Sequence, residues 1–128
     1  MKKIISSIML SLIVFNVSYA DTTKEVKTLV FNAGYAFQAG LLCDNLMYRV
    51  DTSKRVSQKI GVDDIRGGSY KDIFNKGTDK AFKDMLSTSK KEMCSKAWKL
   101  FGCNGTRVKR LLSESVRYYT NPTICPYR

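Results

Sequence analysis

Met93-Cys94-Ser95-Lys96-Ala97-Trp98-Lys99-Leu100-Phe101-Gly102-Cys103 is the stretch on which the fold turns. On a helix, Cys94, Ala97, Trp98 and Phe101 fall three or four residues apart and share one face, while Lys96 and Lys99 look the other way. Gly102 offers the left-handed position that commonly ends a helix, and Cys103 follows at once. The run holds the single tryptophan and two of the four cysteines. We expect a packing and cross-linking hub centred on Ala97, Trp98 and Phe101. No catalytic motif lies in it.

Upstream, Ser89-Lys90-Lys91-Glu92 has the spacing of a capping box, which favours a break or kink near Ser87-Thr88-Ser89. The helix before it should start at Ser69, with Asp72 completing a capping-box-like arrangement. Its inner face should be Tyr70, Ile73, Phe74, Gly77, Ala81, Phe82 and Met85. An irregular connection precedes it over residues 62–68. Before that, Asp51-Thr52-Ser53 can cap a short helix through Ile60, with Val56 and Ile60 inward, Lys54, Arg55 and Lys59 outward, and Gly61 as its stop. Earlier still, Val26, Leu29, Val30, Ala33, Ala36, Phe37 and Gly40 recur at helical spacing up to Leu42. Phe31 and Tyr35 lie off that stripe, so this helix should be central. Ala33, Ala36 and Gly40 give it a narrow side.

Downstream, Asn104-Gly105 is a turn dipeptide and Thr106 can cap a last helix. Val108, Leu111, Leu112, Val116 and Tyr119 would form its apolar face, and Arg107, Lys109, Arg110 and Arg117 a basic one. Asn121-Pro122 would stop it. No convincing alternating strands are present. The expected class is all-α, a small irregular bundle of about four to five helices braced by two disulfides.

The chain opens with Met1-Lys2-Lys3, an apolar run from Ile4 to Val17 and the small-x-small ending Ser18-Tyr19-Ala20. That pattern predicts a signal peptide over residues 1–20 and a mature start at Asp21, hence a periplasmic or secreted location. Residues 21–128 then form one helical domain of 108 residues with net charge +9, since Lys2 and Lys3 leave with the signal. No later stretch is apolar enough to span a bilayer. In an exporting compartment, four cysteines read as two disulfides. Three pairings are possible for Cys43, Cys94, Cys103 and Cys125. We favour Cys43–Cys94, pinning the opening helix to the hub, and Cys103–Cys125, tethering the C-terminal tail. The second closes a loop of about 22 residues and contributes on the order of 3 kcal/mol in the chain-entropy account. The cysteine spacings and the absence of histidine do not fit a zinc domain, so neither metal nor cofactor is expected.

Lack of histidine also excludes the usual Ser/His/Asp and Cys/His nucleophile systems. Ser87-Thr88-Ser89-Lys90 matches a bare S-x-x-K, but its companion motifs are absent, and a helix junction explains it better. Asp63-Asp64 offers two carboxylates for glycosidic cleavage, yet adjacent residues on a loop seldom address one bond. What remains is basicity: 22 Lys and Arg against 11 Asp and Glu, densest at Arg107, Lys109, Arg110 and Arg117 beside Tyr118. A field of that sign attracts acidic proteins or an anionic envelope surface. Export makes nucleic acid a less accessible partner.

The pattern Cys94-x-x-Ala97-Trp98-x-x-Phe101-Gly102-x-x-Gly105, with Gly77 and Leu111-Leu112, resembles a group of small exported helical proteins of alphaproteobacteria. The resemblance covers residues 70–112. It implies export and an α-helical fold, and carries no activity; Cys103 and Cys125 are extra to its pattern. Together these features predict a non-enzymatic exported binding protein. The alternatives are an acid-stress type periplasmic chaperone, an accessory of a secretion or conjugation apparatus, and a carboxylate-dependent envelope hydrolase.

Overall fold

The structure, a computed structural model, describes residues 23–114. The expected signal peptide, the start at Asp21, and Arg117, Tyr118 and Cys125 lie outside those residues. Residues 23–42 are helical (α1). Val30, Ala33, Ala36 and Ala39 are buried along one stripe, and Tyr35, off that stripe, is 3% exposed. Burial on two sides follows from the place of α1: it contributes to both apolar clusters. One joins Tyr35, Ala36, Ala39, Cys43 and Leu46 to Ala81, Met93, Ala97 and Phe101. The other joins Val30 and Ala33 to Ile65 and Phe74.

A three-residue strand, β1 (Leu46–Tyr48), leads into α2 (Val50–Lys59). Asp51 does not cap α2; Arg49 takes the N-cap position with no side-chain cap bond, and its guanidinium holds both Asp51 oxygens at 3.0 and 3.1 Å. The inner face of α2 is polar. Thr52, Ser53 and Ser57 are buried, whereas Val56 and Ile60 are only half-buried. Gly61, at φ 74°, stops the helix as expected, with Gly61 N–H donating to the Gln58 carbonyl and Val62 N–H to that of Ser57.

Val62 and Ile65 anchor the irregular connection. A 3-10 turn (Gly68–Tyr70) then enters α3 (Lys71–Ser87). Ser69 therefore sits inside that turn rather than capping α3, because Gly68, at φ 58°, starts the turn one residue earlier. The inner face of α3 is Phe74, Gly77, Ala81 and Asp84. Phe82 is not on it and is 45% exposed, being one residue past Ala81 and so rotated away. The helix breaks at Ser87–Ser89: the Ser89 side chain accepts from Glu92 N–H and opens α4 (Lys90–Phe101).

Glycine fixes how α1 and α3 cross. A methyl at Gly34 would collide with the Phe74 carbonyl, and one at Gly77 with the Phe31 carbonyl. The two backbones touch there reciprocally. Cys43 and Cys94 form the expected disulfide, joining the end of α1 to α4 with Cα atoms 5.9 Å apart. Closing a segment of 51 residues, it contributes on the order of 4 kcal/mol in the chain-entropy account. No cysteine among the described residues is free; Cys125, the partner expected for Cys103, is beyond them.

The last expected helix is absent over residues 106–114. The chain instead wraps the end of α4, whose final carbonyls are taken by backbone donors: Thr106 to Lys99, Arg107 and Val108 to Leu100, Arg110 to Gly102. Gly102 is not left-handed (φ −71°, ψ −163°). Contact explains the glycine, since a methyl would lie 2.6 Å from the Trp98 carbonyl oxygen and 2.7 Å from the indole Cδ2. The segment ends in β2 (Leu112–Glu114), antiparallel to β1 with Leu46 opposite Glu114 and Tyr48 opposite Leu112. The protein is thus mostly helical, as expected, with a two-stranded sheet added.

Candidate functional site

Of the expected basic cluster, Arg107, Lys109 and Arg110 fall on the connection between α4 and β2, which deals them to different sides. Arg107 Nη1 donates to Asn32 Oδ1 on α1 at 3.3 Å. Lys109 and Arg110 turn toward α2. There they line an open hollow of about 340 Å³ with Thr52, Arg55, Val56 and Lys59. The four α2 residues are three or four positions apart, so one helical face supplies four of the six described lining residues. Arg55 and Lys59, expected only as outward charges, thereby join the site. Their i, i+4 spacing was the available signal.

Among the described residues, four cationic side chains and no acid line this hollow. Three other lysines do hold acids: Lys80 and Lys96 pair with Asp84, and Lys90 with Asp44. Lys59 and Lys109 make no ion pair among the described residues. Arg110 is the one described non-glycine residue with a positive φ, 66°, held by its N–H bond of 2.8 Å to the Gly102 carbonyl. A left-handed residue with a Cβ costs about 1 kcal/mol or more relative to glycine.

Asp84 forms a second constellation, which the sequence did not reveal. Its carboxylate, beneath α1, α3 and α4, accepts from Tyr35 Oη at 2.8 Å, Lys80 Nζ at 2.7 Å and Lys96 Nζ at 2.7 Å. Ser87 and Thr88 hydroxyls donate to its backbone carbonyl. Burial pushes the Asp84 carboxyl up, but the bonds from Lys80, Lys96 and Tyr35 outweigh it and hold the group well below the usual carboxylate range. Burial, then the Asp84 anion, raises the Tyr35 phenol well above its ordinary value. A carboxylate fixed in its charged form with both oxygens engaged ties helices together and is ill suited to proton transfer.

Asp63 and Asp64 lie on the exposed loop, where Asp64 Oδ1 accepts from Arg66 N–H at 3.0 Å, a turn-forming bond. The S-x-x-K pair is not a unit: the Ser87 hydroxyl donates to the Asp84 carbonyl, and Lys90 pairs with Asp44. Of the expected hub, Ala97 and Phe101 are fully buried and Trp98 half-buried. The indole borders a groove of about 680 Å³ beside Cys94, Leu46 and the Lys90–Asp44 pair. Among the described residues no group of three metal-ligating side chains converges, and no helix is long and apolar enough to cross a membrane. No family model, no curated protein and no solved structure matches the chain.

Proposed function

We propose that the chain is an exported, non-enzymatic binding protein of the bacterial periplasm or exterior that contacts an acidic protein or an anionic envelope component through its basic surface. One observation carries this: Arg55 and Lys59 of α2 are brought together with Lys109 and Arg110, some 50 residues on, around a hollow lined by no acid among the described residues. Like charges gathered in one place repel, and an anionic partner relieves that repulsion. The net charge of +9 over residues 21–128 adds a long-range field that steers such a partner inward. The Cys43–Cys94 disulfide supports an oxidising compartment, as does the charged and apolar opening of the sequence. The chaperone alternative requires the bundle to open in acid. The Asp84 cluster opposes that, because its carboxylate keeps its charge below the usual range.

Retention of the oxidised chain on anionic vesicles and on an immobilised acidic protein, at rising salt, tests the proposal. The double variant K59E/K109E should release at clearly lower salt than the charge-matched K76E/K83E on α3. Equal release would show that net charge alone acts, and would remove the hollow from the account.

A further inference from the structure

We infer that the hollow between α2 and the α4–β2 connection is a phosphate site, taking a terminal phosphate monoester with the rest of its carrier projecting outward. This rests on the preceding proposal and names the chemistry recognised. A carboxylate offers two oxygens and one charge, whereas a phosphate monoester offers three terminal oxygens and nearly two charges. Two guanidinium groups and two ammonium groups around one hollow suit the second ligand better. Arginine presents a fork to a pair of oxygens, and lysine adds a movable point charge. Lys59 and Lys109, unpaired among the described residues, are the groups that close on the ligand. The volume of about 340 Å³ is at the low end for small-molecule sites, and the hollow is open on one side. That suits an end group and excludes a buried whole molecule.

The backbone supplies an independent observation. Arg110 is held left-handed at φ 66°, where glycine would relieve strain, and it lines this hollow. A non-glycine residue held in the left-handed region is the kind of backbone strain that clusters at functional sites.

The test uses the full oxidised chain. Inorganic phosphate is titrated against chloride at constant ionic strength while backbone amide resonances are followed. In parallel, flotation compares phosphatidylcholine vesicles doped with phosphatidic acid, a monoester, or with phosphatidylglycerol, a diester, at equal surface charge. Saturable shifts confined to residues 52–59 and 107–111 are expected, weakened at least tenfold in K59Q/K109Q and unchanged in K76Q/K83Q. R110G should melt at a higher temperature than the parent yet bind phosphate more weakly. Preference for phosphatidic acid assigns the group to a lipid headgroup; saturation by phosphate with no vesicle preference assigns it to a soluble phosphorylated molecule. Overturning results are shifts spread over the whole basic surface, or no saturation together with no vesicle preference. If vesicle or acidic-protein retention survives that outcome, the broader proposal stands; if every anionic surface is ignored, both fall.

Discussion

Replacing Asp84 with asparagine removes one charge while keeping size and an acceptor oxygen for Tyr35 Oη. Two charge-assisted bonds are lost, from Lys80 and Lys96, each worth about 1.5–3 kcal/mol if fully buried. Their side chains are 52% and 50% exposed, however, and return to water when the partner is neutral. Discounting toward the value of surface pairs leaves about 2 kcal/mol in all. For a domain of this size that corresponds to a fall in Tm of roughly 10 °C. The loss must also carry a pH signature. The carboxyl ionises near 3.8 in the unfolded chain and at a lower value when folded. Its contribution is therefore fully present above about pH 5, and fades as pH falls through the unfolded value toward the folded one. Thermal melts of both proteins from neutral pH to about pH 2 should show a gap that is constant down to about pH 5 and narrows below it. A gap unchanged throughout the acid range, or a difference under about 0.5 kcal/mol at neutrality, would refute the assignment of the Asp84 charge as the tie between α3 and α4.

At the opposite end of the scale, Tyr35→Phe should flatten the alkaline limb. The phenol is raised in the folded state, so its contribution holds below pH 10 and is lost as pH climbs toward the folded value; identical alkaline melts would contradict this. Gly34→Ala, a change that usually favours a helix, should cost about 3 kcal/mol by forcing α1 off the Phe74 carbonyl, measurable by urea unfolding. Exchanging Cys43 and Cys94 together for serine should cost on the order of 4 kcal/mol, read as a lower denaturant midpoint under oxidising conditions. Ser89→Ala should cost about 1 kcal/mol through loss of the α4 cap, with circular dichroism unchanged at low temperature.

What these substitutions probe divides by the range of the interaction. The opening helix, the helix after the 3-10 turn, the hub helix and the break between them were legible because each depends on neighbours within four residues. Apolar spacing, the Ser89–Glu92 box and the Gly61 stop are signals of that kind. The Cys43–Cys94 bridge was favoured for a related reason, since it joins the ends of two elements already placed. Val108, Leu111 and Leu112 carried helical spacing too, yet they do not form a helix. Their backbone satisfies the end of α4 and then pairs with β1, a strand more than sixty residues earlier, and no local pattern encodes that exchange.

Function followed the same division. Composition alone determined that this chain is basic, lacks histidine and has cysteine to spend on cross-links. Where the charge collects was decided only when residues 106–111 declined the expected helix and turned Lys109 and Arg110 toward Arg55 and Lys59. Likewise, a carboxylate in the last turn of α3 looks solvent-facing until α1 and α4 close over it. Local sequence sets which conformations are cheap for each segment, whereas partners distant in the chain select among them, and the selection lies in the packed backbone.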